Sequence, residues 1–146
     1  MKWQVITIGK PALPWARAGM EEYLIRLRHS TQVDHTSLRE SPPTLTAERM
    51  QTASEGSLRI VLDERGRSLT SSELANWKQK HQLSGTKRIS VLIGGADGHS
   101  EVTRSSADEL WCLSALTLQH EMALVLFLEQ LYRAYSIIRG APYHRP

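Results

Sequence analysis

Short apolar runs alternate with helix-patterned segments along the chain, and this alternation constrains the fold more than any other feature. Lys2 to Ile8 carries Trp3, Val5, Ile6 and Ile8 and closes at Gly9. Pro14 then suits the first turn of a helix bearing Met20, Tyr23, Leu24 and Leu27. Val33 to Leu38 reads as a second strand, which Ser41-Pro42-Pro43-Thr44 interrupts before a short helix around Ala47 to Thr52 that ends by Gly56. Leu58 to Asp63 is a clearer strand. Thr70 and Glu73 have capping-box spacing and Leu69 can staple to Leu74, so a helix is expected from Ser71 to about His81. Arg88 to Ile93 is the next strand, Ser100 caps a helix through Leu110, Trp111 to Ser114 is a last strand, and Glu121 to Ile138 is the final helix. The pattern predicts an α/β fold: a mostly parallel sheet with helices on both faces, in a single domain over residues 1–146.

A chain of 146 residues supports one hydrophobic core and not two. Cys112 stands alone, so no intrachain disulfide forms, and Met1 to Val5 opens a strand instead of a signal peptide. Both point to the cytoplasm. The longest apolar run, Met122 to Leu128, falls well short of the roughly 20 residues that cross a bilayer. A net charge of +3 tilts toward polyanionic partners, but the arginines and lysines are dispersed, so any nucleic-acid surface has to be assembled by folding.

Met122 to Leu128 is also apolar around the whole helical circumference. Burial within the sheet and helix core covers one face, and a second copy of the chain is the expected cover for the rest.

Three segments carry candidate chemistry. Ile93-Gly94-Gly95-Ala96-Asp97-Gly98 follows a strand and lets a ligand approach the backbone closely; it also suits an ordinary tight turn, and it matches no dinucleotide or phosphate-loop fingerprint. Leu113 to Leu118 is an apolar loop bearing hydroxyls, which offers backbone amides and carbonyls beside an oily wall, as an adenine ring requires. Both lie where open α/β sheets hold ligands, at the carboxyl ends of strands. The third, Tyr143-His144-Arg145, combines a stacking ring, an imidazole and a guanidinium. Glu129, Tyr132 and Arg133 share one helical face, a spacing that fits a structural ion pair and equally an anion contact. His120-Glu121 lacks the second histidine of a zinc protease, since Leu124 stands there, and no metal is expected.

Leu62-Asp63-Glu64-Arg65-Gly66, Leu92 to Gly95, Leu113 to His120, Glu129 to Ala134 and Pro142 to Arg145, in this order, resemble the small SPOUT-class methyltransferases that act on N3 of a pseudouridine in large-subunit ribosomal RNA. The resemblance spans almost the whole chain. It implies an α/β knot in which the segment around Leu113 to Leu118 passes through a loop, a homodimer, and S-adenosylmethionine as methyl donor. By position it implies Leu62, Gly94, Gly95, Leu113, Ser114, Ala115, Leu116, Thr117 and Leu118 at the cofactor. His120, Arg133, Tyr143, His144 and Arg145 fall on the side of the RNA substrate, which is expected within the assembled ribosome, and the tail is expected to serve the partner subunit's site. Leu124 stands where the family usually carries arginine, and the Arg39 to Glu48 region is short and lacks a basic loop. A dimer that binds RNA or ligand without methylating is the competing reading of those departures.

The sulfonium already activates the methyl group, so the protein is expected to hold the acceptor nitrogen in line and manage one proton. N3 of pseudouridine is a weakly acidic imide. Arginine can stabilise the charge left on its carbonyls, and His120 or His144 can take the proton.

Overall fold

Five strands form one sheet in the computed structural model, which describes residues 1–146. The elements run β1 (Lys2–Ile8), α1 (Pro14–Leu27), β2 (Gln32–Leu38), α2 (Pro43–Ala53), β3 (Leu58–Ser68), α3 (Ser71–Leu83), β4 (Arg88–Ile93), α4 (Glu101–Ser105), β5 (Glu109–Cys112) and α5 (His120–Arg139). The strand order is β2-β1-β4-β3-β5 and every pairing is parallel, so the sheet is parallel throughout and not merely for the most part.

Side chains alternate across the sheet as strand geometry demands. Trp3, Val5, Ile60, Leu62, Val91 and Ile93 enter the larger core, while Ile6, Val61 and Leu92 face the other way with Met50 of α2. β4 is buried on both faces from Ile89 to Ile93, which is why it reads as a nearly continuous apolar run. α5 lays Leu124, Phe127, Leu128, Leu131 and Ala134 on the larger core, and α3 adds Leu74, Ala75 and Trp77. Each such large apolar side chain stabilises the fold by about 1.5–3 kcal/mol. Tyr135 closes this layer, accepting a hydrogen bond from the Trp3 indole at 3.0 Å.

Several boundaries differ from the sequence reading for local reasons. α2 begins at Pro43, which serves as an opening helical residue and not as an interruption. α4 has five residues instead of reaching Leu110. Asp108 ends it early, because its backbone N–H donates to the Arg59 carbonyl and its carboxylate accepts from the Arg59 N–H, pulling the chain onto β3. β5 therefore starts at Glu109 and stops at Cys112, leaving Leu113 and Ser114 in the following loop. The capping box at Thr70 is present in full, each side chain bonding the other's backbone.

The all-round apolar stretch of α5 is largely satisfied inside the chain. Leu124, Phe127 and Leu128 face the sheet, while Val125 packs on Gly19 of α1, where an added Cβ would come within 2.9 Å of Val125 Cγ1. Met122 stays 42% exposed, on the helix flanked by α1 with its own exposed Trp15 at 46%. Leu124 is 1% exposed, so leucine at this position is a core residue. No helix is long and apolar enough to cross a membrane.

Candidate functional site

The middle of β3, the carboxyl ends of β4 and β5 and the first turn of α5 line a cavity of about 470 Å³. Leu62, midway along β3, and Ile93, the last residue of β4, stand in its wall, Gly94 and Gly95 form one rim, and Leu113, Ser114, Leu116, Thr117 and Leu118 form the other. Eight of the nine residues expected at a cofactor thus converge. Ala115 is exposed and outside the wall.

The glycine segment is a tight turn and a cavity rim at once. Gly98 N–H donates to the Gly95 carbonyl at 3.0 Å, and a Cβ on Gly94 would lie 2.9 Å from the Gly98 carbonyl carbon. Any side chain at position 94 would therefore force the turn open. Across the cavity, the Leu116 N–H is held by Ser114 Oγ and the Ser114 carbonyl accepts from Cys112 Sγ. None of the backbone-to-backbone hydrogen bonds formed outside helices and strands involves residues 113 to 118. Their remaining amides and carbonyls are available to a ligand.

His120 lines the same cavity from the start of α5. Gln119 caps this helix, its Oε1 accepting from the N–H groups of Glu121 and Met122, and this orients its amide nitrogen toward His120 Nδ1 at 3.4 Å. Glu121 is buried and accepts from the Leu13 N–H at 3.0 Å, which ties the start of α1 to the start of α5.

Arg133, Tyr143 and His144 form a second cluster at the far end of α5. Thirteen residues of helix separate Arg133 from His120, roughly 20 Å of rise. Glu129 Oε1 accepts from Arg133 Nε and Nη2 and from the Tyr143 hydroxyl, and the Glu129 contact holds the guanidinium pKa above its ordinary value. Burial, with the Tyr23 and Glu129 contacts, pushes the Tyr143 phenol upward as well, so it stays protonated. Arg133 Nη1 lies 3.2 Å from His144 Nδ1. A guanidinium has no lone pair to offer, so His144 accepts here and carries any ring proton on Nε2. Arg145 is exposed beside this cluster. Within one chain, the five residues expected on the substrate side are therefore split, His120 at the cavity and the other four near or in the C-terminal tail.

Sequence reasoning singled out no role for Asp63, Arg65, His99 and Arg104, which also line the cavity. Asp63 and Arg65 lie in the Leu62 to Gly66 segment that carried the family resemblance, which assigned a role to Leu62 alone among them. His99 donates from Nε2 to the Leu92 carbonyl; burial lowers its pKa, so the ring is neutral. Arg104 Nη1 donates to the His99 carbonyl at 2.6 Å and lies 3.5 Å from Asp63 Oδ2. No cluster of histidine, cysteine and carboxylate side chains could hold a metal ion.

A family model described as predicted SPOUT methyltransferase matches residues 1–144. The chain belongs to this family. It is 43% identical over 146 residues to a ribosomal RNA large subunit methyltransferase H of Thermus thermophilus, covering both chains in full. It is 39% identical to the methyltransferase H of Deinococcus deserti over 145 residues, covering 99% of this chain and 100% of that one. Among solved structures, a tRNA methyltransferase from Aquifex aeolicus aligns with a TM-score of 0.54 and 14% identity over all of this chain and 74% of the other. The SpoU methyltransferase AviRb from Streptomyces viridochromogenes, solved with AdoMet, aligns at 0.50 and 15% over 95% of this chain and 58% of that one. At such identities the two structures speak to the SPOUT fold alone.

Proposed function

We propose that this SPOUT methyltransferase moves a methyl group from S-adenosylmethionine to N3 of a pseudouridine in large-subunit ribosomal RNA, working in the cytoplasm as a homodimer. The convergence of eight expected cofactor residues on one cavity at the strand ends carries the reading. The relatives named as large subunit methyltransferases support the substrate, and the AdoMet complex of a structural neighbour supports the donor.

The cavity fits such a donor by its own chemistry. Its volume lies in the range of small-molecule sites, about 300–1,000 Å³. Leu62, Ile93, Leu113 and Leu118 offer an apolar wall, and the 113 to 118 backbone supplies donors and acceptors for an adenine edge. The same reading makes this loop the threaded segment of the family's knot. When bound, the donor supplies an electrophilic methyl group.

What remains for the protein is positioning and one proton. In this reading His120, at the cavity edge, receives the imide proton. Arg133 lies roughly 20 Å along α5 from His120, with Tyr143 and His144 of the tail bonded beside it, away from the cavity of their own subunit. In a dimer built on the Trp15 and Met122 face, these groups serve the partner's cavity, and arginine there steadies the anionic ring in transit. Leucine at position 124, being core, takes no part in this exchange.

Tritium transfer from labelled S-adenosylmethionine tests the proposal against 70S ribosomes, separate subunits and free rRNA. Label should enter large-subunit rRNA, and nuclease digestion should return it as N3-methylpseudouridine. Label in none of the three substrates, or on another nucleoside, would refute the assignment.

A further inference from the structure

β3 does not run straight through the site. Leu62 and Arg67 both lie opposite Trp111 of β5, so Asp63, Glu64, Arg65 and Gly66 form an excursion between them. Bulges of this kind re-aim side chains next to active sites. Gly66 makes this one possible, since a Cβ there would fall 2.5 Å from backbone atoms of Leu110 and Trp111. The excursion is thus pressed against β5, and Asp63 and Arg65 form part of the cavity wall.

The two charges are presented differently. The Asp63 side chain is only 6% exposed. Its Oδ1 accepts from the Arg65 N–H at 2.9 Å, whereas Oδ2 accepts no hydrogen bond and has only the Arg104 guanidinium at 3.5 Å. Arg104 is committed elsewhere, to the His99 carbonyl and to Glu101. Paired with Arg104 but outside any hydrogen bond, Oδ2 keeps acceptor capacity for an arriving donor. The Arg65 guanidinium, by contrast, is well exposed, with Asp63 at 3.6 Å as its one ion-pair contact within 4 Å.

We infer that the Asp63 to Gly66 excursion is an amino-acid clamp: Asp63 Oδ2 takes the α-ammonium of the donor's methionyl end and Arg65 takes its α-carboxylate. An acceptor and a cation side by side match a zwitterion. The nucleoside end is then left to the 113 to 118 loop. The clamp rests on the cofactor reading above but makes a separate claim, about which part of the molecule this rim selects.

Calorimetric titration with S-adenosylhomocysteine and with 5′-methylthioadenosine, which lacks the amino-acid end, separates the two claims. The wild-type protein should prefer S-adenosylhomocysteine by at least about tenfold, the effect of one charge-assisted hydrogen bond. Asp63→Asn and Arg65→Gln should each cut that preference about tenfold while leaving 5′-methylthioadenosine affinity within about twofold. Arg65 is a surface side chain, so its variant reads the clamp even if Asp63→Asn disturbs folding. Equal wild-type affinities, or an undiminished preference in the folded Arg65→Gln protein, would overturn the clamp while leaving the cofactor site standing. Failure of folded wild-type protein to bind either nucleoside would overturn the cofactor reading itself, and the clamp with it.

Discussion

The Tyr143 hydroxyl donates to Oε1 of Glu129 at 3.0 Å, the same oxygen that Arg133 grips from Nε and Nη2. Because that proton is spent on Glu129, Tyr23 is the donor in the 3.0 Å contact between the two phenols. The Tyr143 ring also stands edge-on to Tyr132, with centroids 4.7 Å apart. The chain end is fastened to α5 of its own subunit.

Tyr143→Phe should therefore lower stability by about 1 kcal/mol, the usual net value of one such hydrogen bond, and lower the melting temperature by a few degrees. Deleting Tyr143 to Pro146 should cost somewhat more and still leave a folded protein. In the deletion, calorimetry should find S-adenosylmethionine affinity nearly unchanged while methyl transfer to ribosomes is lost.

Gly94→Val should remove cofactor binding without unfolding the chain, since the clash falls on the Gly98 turn and not on the core. Circular dichroism checks the fold and titration calorimetry the affinity. Unchanged affinity in the folded variant would show that the turn does not shape the cofactor site.

Phe127→Ala, at a fully buried position facing the sheet, should destabilise by about 3–5 kcal/mol through lost burial and the cavity left behind. Denaturant melts give this value directly. Alanine in place of exposed Met122 should change monomer stability little and weaken self-association, which sedimentation reads.

Burial lowers the pKa of His99, and burial with the nearby Lys10 lowers that of His35. Both rings bind a proton more readily when unfolded, so stability is full above the unfolded histidine pKa, about 6.5, and falls as pH drops from there toward the folded values. Each contributes at most about 1.4 kcal/mol per pH unit in that window. Thermal melts from about pH 8 to about pH 5.5 should show the decline, and His99→Gln should make it shallower.

Much of this was legible in the residues. Apolar runs such as Leu58 to Leu62 announced buried parallel strands, and the Thr70 and Glu73 pair located a helix start to the residue. The cavity rims were legible too, because glycines and an apolar hydroxyl loop occur together at strand ends, where open α/β sheets hold ligands. Long-range contacts were not. Asp108 ends α4 by bonding Arg59 across a gap of 49 residues, and no local pattern reports such a pairing. The excursion after Leu62 was hidden for the same reason, since Gly66 acquires its meaning only when β5 lies against it. The apolar ring on α5 overstated the exposed surface because Gly19, a residue without a side chain, makes room for Val125.

If each site joins one subunit's cavity to its partner's tail, mixing two inactive variants reveals it most directly. One variant carries Gly94→Val with an intact tail, and the other lacks Tyr143 to Pro146 but keeps its cavity. Each homodimer should be inactive on 70S ribosomes. The mixed dimer should regain tritium transfer, because the intact cavity meets the intact tail across the interface. Mixed dimers shown to be folded and paired, yet as inactive as the parents, would contradict the account.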